Sequence, residues 1–296
     1  MGCVGGPLGF VFDHANSISR LFRERDDMKI SLLFAGLAFL FLTLSVPLKA
    51  QESREDLSKQ AANPVADLIS IPIQHNIDFG LGEYDRTRNL LNIQPVIPLA
   101  GGKIITRTVM PIVWQPDTTS ESGMYSSGLS DITFTAFYAK PAGSLTFGFG
   151  PVIDIPTGGS LRGSEKWNLG PSMVALAQPG DWTLGVLVNN VWSFAGNSDR
   201  ANVSKGLLQY FIVRQLGSGW YVSSSPLITA NWKAESGQKW VVPFGGGVGK
   251  VSFLGKLPVN MQMGAYVNAV KPDDGPDWQM RFQAQFLLPT SMFRGK

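Results

Sequence analysis

The chain has 296 residues, a formal net charge of +3, 16% charged and 11% aromatic side chains, and is rich in Gly and Pro, with 33 and 19 copies. A balance that near to neutral, with no basic cluster interleaved with aromatics, argues against a nucleic-acid partner. One cysteine, Cys3, excludes an intrachain disulfide. With His75 the only histidine past the N-terminal region, no metal or cofactor motif is present.

Residues 1–27 end in a charged run (Arg20, Arg23, Glu24, Arg25, Asp26, Asp27) that fits no export design; they read as an extension upstream of a true start at Met28. Met28-Lys29, the apolar run Ile30 to Leu48 and the sequence Leu48-Lys49-Ala50 before Gln51 then read as a secretory signal over 28–50, cleaved after Ala50. No later apolar run approaches the roughly 20 residues of a spanning helix. Residues 51–67 form a polar segment on the periplasmic side, helical over Ser53 to Ala62 and broken by Asn63-Pro64.

From 68 to 289 the chain repeats stretches of roughly ten residues that alternate apolar with polar or small side chains, the signature of a half-buried strand. The first places Ile69, Ile71, Ile73, His75, Ile77 and Phe79 on one face and Ser70, Gln74, Asn76 and Asp78 on the other. The second sets Leu91, Ile93, Pro95 and Ile97 against Asn92 and Gln94. Ten more are expected near 103–115, 129–139, 144–155, 166–178, 182–194, 205–216, 220–232, 239–250, 257–269 and 277–289, the last alternating from Asp277-Trp278 to Gln285-Phe286. Residues 290–296 remain as a tail.

The connectors after the second, fourth, sixth and eighth strands are tight (Ala100-Gly101-Gly102, Lys140-Pro141-Ala142-Gly143, Pro179-Gly180-Asp181, Gly217-Ser218-Gly219), whereas Pro116 to Gly128, Pro156 to Glu165 and Gly196 to Ser204 are long and polar. Short periplasmic turns and long outer loops belong to outer-membrane barrels. Trp114, Trp167, Trp182, Trp192, Trp220, Trp232, Trp240 and Trp278 all fall near strand ends, where indole favours the headgroup boundary. Pro72, Pro95, Pro151, Pro171, Pro226 and Pro243 remove ladder donors and predict bulges or an irregular wall. The fold class is therefore all-β: a transmembrane, antiparallel, up-and-down β-barrel of about twelve strands behind a signal peptide, placed in the outer membrane against its lipid.

Asn63 to Pro72, Asn92-Ile93-Gln94-Pro95-Val96-Ile97-Pro98, Val188 to Gly196 and Gly275-Pro276-Asp277-Trp278-Gln279 resemble a family of outer-membrane barrels described as "MetA-pathway of phenol degradation", some of whose members carry the label of a neuromedin-U-like bacterial protein. The similarity extends over about 55–289. It implies an outer-membrane barrel for uptake of a hydrophobic or aromatic compound, and brings no catalytic set.

Polar side chains on the inward faces are the candidate pore lining. The charged ones are Asp78, Arg107, Asp131, Asp154 and Arg281, and the amides and hydroxyls are Gln74, Gln94, Asn260, Gln262, Tyr266, Gln283 and Gln285. Rings of charge in a lumen select ions; the same residues also suit a network that plugs the lumen and ties strands together. His75 falls on the lipid-facing side without a motif that pairs it with a serine, so a lipid-modifying enzyme is the minor reading. Gly245-Gly246-Gly247-Val248-Gly249 lacks the Lys-Ser/Thr of a phosphate loop and reads as room for curvature or for a plug. The expected function is a non-enzymatic channel for passive passage of a small solute. The competing reading is a structural or surface-interaction barrel with an occluded lumen.

Overall fold

The computed structural model describes residues 49–288, and side chains from Arg54 onward. The extension over 1–27, the signal segment apart from Lys49 and Ala50, and the tail over 290–296 lie outside the described residues.

Helix α1 (Lys49–Ala61) is the first described element and ends where Asn63-Pro64 stops it, with the Asn63 Oδ1 accepting from the Val65 N–H at 2.9 Å. Twelve strands follow. They are β1 (Ile69–Leu81), β2 (Arg86–Ile93 and Val96–Leu99), β3 (Ile104–Pro116), β4 (Tyr125–Leu129 and Ile132–Ala142), β5 (Leu145–Ile155) and β6 (Lys166–Ala177). Then come β7 (Trp182–Gly196), β8 (Ser204–Gly217), β9 (Trp220–Ser224 and Leu227–Asn231), β10 (Trp240–Leu254), β11 (Leu257–Val270) and β12 (Trp278–Leu288), with one short helix, α2 (Gly159–Arg162), in the loop after β5.

Each strand pairs antiparallel with the next in sequence, and β12 pairs back onto β1 from Ile69↔Leu288 to Phe79↔Trp278. The sheet is thus a closed barrel. Closure leaves no row of unpaired N–H and C=O groups, each of which would cost several kcal/mol in hydrocarbon.

Three strands are interrupted for two residues. At Gln94-Pro95 the lost ladder donor is compensated locally: the Gln94 N–H donates to Pro72 O at 2.8 Å and the Thr108 N–H to Pro95 O at 3.0 Å. Ser225-Pro226 breaks β9 without changing its register with β8 or β10. Ser130-Asp131 breaks β4. Pro243 sits at a register shift between β10 and β11, while Pro151 and Pro171 face each other across β5 and β6 in regular register. Of the prolines, Pro95 and Pro226 thus lie in interruptions and Pro243 at a register shift, while further register shifts at Asp78/Leu81, Trp167/Asn168 and Gln215/Gly217 involve no proline.

Connectors alternate as the turn chemistry requires. The turns after β2, β4, β6, β8 and β10 are short, and the first and fourth need left-handed backbone at consecutive residues. Ala100, Gly101 and Gly102 have φ of 50°, 67° and 80°, and Gly217, Ser218 and Gly219 have 88°, 54° and 81°. The opposite loops are longer, except that after β1. Strand β4 begins earlier than expected, at Tyr125, inside what reads as loop, and β2 begins at Arg86, ahead of the alternation expected from Leu91. The stretch Tyr125–Leu129 has little apolar alternation because it pairs with the loop end of β3, above the apolar belt.

The wall is turned inside out relative to a soluble protein. Outward positions are broad and apolar: Phe149 is 58% exposed, Met173 59%, Phe194 62% and Phe244 74%. Six tryptophans (Trp114, Trp167, Trp192, Trp232, Trp240, Trp278) stand at the loop end and two (Trp182, Trp220) at the turn end. Trp278 stacks on Phe79 with centroids 4.2 Å apart, and the Trp232 Nε1–H donates to Asn190 Oδ1 at 2.6 Å. Such a belt makes a charge at mid-wall costly. Phe149→Arg, outward near the middle of β5, is expected to destabilise the barrel by about 2–4 kcal/mol in urea-driven unfolding from lipid vesicles. An unchanged midpoint would show that this face does not meet lipid.

Candidate functional site

The inner faces of the strands enclose a cavity of about 930 Å³, counting the open space at its mouth. Its lower boundary is the chain's own N-terminal segment. Past the Asn63-Pro64 break, Val65 packs into a cluster with Ile105, Phe137, Val174, Leu187 and Phe211, the inward residues of β3, β4, β6, β7 and β8. Ala66 and Leu68 pack the other way, against Val251 of β10 and Leu287 of β12, with Leu57 and Ala61 of α1 beside them. Hydrogen bonds add to the apolar contacts. Ser58 Oγ donates to Gln215 Oε1 at 2.7 Å, and the Gln178 amide to the Lys59 carbonyl at 2.9 Å. The segment expected to precede the barrel on the periplasmic side is folded into its turn-end mouth.

Eight of the twelve candidate pore residues line this cavity: Gln74, Gln94, Arg107, Asn260, Gln262, Arg281, Gln283 and Gln285. The other four are elsewhere. Asp78, 2% exposed, accepts from Arg88 at 2.9 and 2.7 Å and from the Gln279 amide at 2.7 Å, an ion pair set in the wall. Asp154 accepts from Thr133 Oγ1 at 2.6 Å and Asn168 Nδ2 at 3.2 Å, bracing β4, β5 and β6. Tyr266, 1% exposed, lies under the Arg281 guanidinium, 4.6 Å from its ring centroid. Asp131 falls in the interruption of β4 and holds the loop after β5, accepting from the Gly158 and Ser164 N–H groups at 3.1 and 2.7 Å. Outside the wall, the Asp117 carboxyl is held below its ordinary range by the side-chain and backbone bonds from Thr119.

The acidic residues are thus committed to neighbours, and the cavity lining contains two arginines and no carboxylate. Arg281 donates to Asn76 Oδ1, the Ser225 carbonyl and Gln279 Oε1 at 3.2, 2.9 and 3.2 Å. Arg107 donates to Gln94 Oε1 at 2.6 Å. The amides form their own mesh: Tyr221 Oη donates to Asn260 Oδ1 at 2.8 Å, Asn260 Nδ2 to Gln285 Oε1 at 3.1 Å, and Gln262 Nε2 to Ser223 Oγ at 2.6 Å. The glycine run of β10 gives this mesh its room. A Cβ on Gly249 would sit 2.2 Å from the Tyr221 ring.

His75 alternates onto the outer face, with Nε2 3.1 Å from Asn89 Oδ1. Its flanking residues on that face are Ile73 and Ile77 along β1 and, across the ladders, Leu91 and Phe282. None of these four carries a hydroxyl. Sequence reasoning missed the plug residues Val65, Ala66 and Leu68. Their signal is an apolar trio directly after a helix breaker, too short to register as an element. Gly249→Ala is expected to displace Tyr221 and cost about 1–3 kcal/mol in the same unfolding titration. Stability equal to wild type would mean that the ring is not held where the structure has it.

Comparison with known proteins agrees with this architecture. Residues 72–206 match the family model described as "Putative MetA-pathway of phenol degradation", a span from within β1 to the start of β8 and narrower than the resemblance over 55–289 implies. An outer membrane channel from Pseudomonas putida F1 superposes with a TM-score of 0.55 at 16% identity, covering 75% of this chain and 94% of that one. The NanC porin gives 0.49 at 8% identity over 74% and 98%. Outer membrane phospholipase A from Escherichia coli gives 0.38 at 13% over 78% and 97%. No protein of curated function matches the sequence. In fold the chain is a closed twelve-stranded β-barrel like that of the superposed outer membrane channel, and its residues 72–206 match the model of the family described as "Putative MetA-pathway of phenol degradation".

Proposed function

We propose that this chain is a non-enzymatic channel of the outer membrane, exported behind the signal over 28–50, through which a small aromatic solute passes passively. The observation that carries the reading is a polar cavity inside a closed barrel whose outer wall is apolar. A barrel with only a structural role has no need of open interior volume with a polar lining. The matched family's description names phenol degradation and the superposed Pseudomonas protein is described as a channel, which supports both the class and an aromatic solute. Leu68, Val96, Phe211 and Val213 give the cavity an apolar side against which a ring packs.

The seated N-terminal segment favours a refinement in which the barrel is narrowed at rest by its own chain. Burial of Val65 contributes about 1.5–3 kcal/mol to seating. Val65→Asp removes that and buries a charge, shifting the seated-to-unseated ratio by roughly 10- to 100-fold or more. In planar bilayers the refolded chain from Gln51 is expected to give small steps, and the Val65→Asp chain larger and longer openings. Silence from both folded proteins would contradict a channel; equal conductance would contradict a seated plug.

A further inference from the structure

The two arginines of the cavity are not equivalent. Arg281 is 7% exposed, hydrogen-bonded to three neutral acceptors and covered on one face by Tyr266. Its fork is used by the protein. Arg107 is partly exposed, towards the cavity, and makes one side-chain hydrogen bond, through Nη2 to Gln94. A guanidinium has five N–H donors in a fixed plane. The other four on Arg107 have no hydrogen-bond partner among the described residues, and the side chain lines the cavity.

The position of that fork is determined by the wall. Gln94 is 5% exposed and sits in the interruption of β2, its N–H bonded to Pro72 O. It therefore holds one Nη from the side. Arg107 pairs directly with Val96, which lines the same cavity, so an apolar surface lies beside the free donors. None of the ion pairs among the described residues involves Arg107 or Arg281, and the inward carboxylates Asp78 and Asp154 are bonded to other side chains. A cation enclosed with only neutral neighbours is costly until an anion joins it. A planar two-oxygen anion matches a guanidinium fork with two parallel hydrogen bonds.

We propose that Arg107 is the anchor of a carboxylate-binding site, in which a small aromatic carboxylate sets its two oxygens on the free edge of the guanidinium and its ring against Val96, Phe211 and Val213. Arg281 adds positive potential to the same cavity without surrendering its bonds. A neutral aromatic alcohol gains the ring contact but leaves the cation unmatched, and an aromatic amine is repelled. The inference deepens the channel reading and depends on it only for the ligand's route to the site.

Calorimetric titration of the refolded barrel in detergent, with benzoate, benzyl alcohol and benzylamine as probes, tests this without any conduction. Benzoate is expected to bind at least about tenfold more tightly than benzyl alcohol, the scale of one charge-assisted pair, and benzylamine not to bind. Arg107→Gln is expected to abolish the benzoate preference while leaving benzyl alcohol unchanged. Arg107→Lys, which keeps the charge but loses the fork, recovers part of it and serves if the Gln variant fails to fold. Equal binding of benzoate and benzyl alcohol, no benzoate binding by folded protein, or an unchanged preference in Arg107→Gln would each overturn the site. A barrel that conducts but fails these tests would lose the carboxylate site and keep the channel. One that binds benzoate but never conducts would lose the channel and keep the site.

Discussion

Everything in this structure follows from the need to pair backbone groups where water is absent. A sheet in hydrocarbon must close on itself, since each unpaired N–H or C=O costs several kcal/mol. The pairing of β12 with β1 over eleven residue pairs meets that need. Once the sheet is closed, strand alternation separates two environments without further design: large apolar side chains go to the outside, amides and charges to the inside. At the Gln94-Pro95 interruption the neighbouring N–H and carbonyl groups find other backbone partners, the Gln94 N–H on Pro72 O and Pro95 O from the Thr108 N–H.

The interior is then decided by electrostatics rather than by apolar packing. Asp78 and Asp154 have partners on adjacent strands, and Asp131 is spent on a loop. Each pairing removes a carboxylate from the cavity, and the sum is an interior biased to positive charge. The N-terminal segment completes the arrangement from below, where Val65 joins an apolar ring contributed by five strands. Plug and cavity are thus two consequences of one design: apolar inward residues near the turns receive the plug, and polar inward residues above it remain open.

Much of the wall was legible in the sequence, because period-two alternation and turn dipeptides are local signals. Strand β12 runs Trp278–Leu288 against an expectation of 277–289, and β7 begins at Trp182 as expected. The start of β4 was not legible, because Tyr125–Leu129 pairs above the apolar belt and has no burial to pattern it. Inward polarity identified eight of the cavity residues. It did not separate Arg107, open to the cavity, from Asp78, closed in the wall, since that difference lies in cross-strand partners such as Arg88. The plug was invisible for the same reason: Val65 owes its burial to residues up to 146 positions away in sequence.

The measurement that tests the inside-out barrel most directly is accessibility of spin labels on single cysteines along β12, in lipid. Labels at Met280, Ala284 and Phe286 are expected to be relaxed by oxygen dissolved in the bilayer, and labels at Gln279, Gln283 and Gln285 by a water-soluble paramagnet. The two responses should alternate residue by residue. Absence of alternation, or alternation in the opposite phase, would contradict a membrane-spanning barrel with a polar interior.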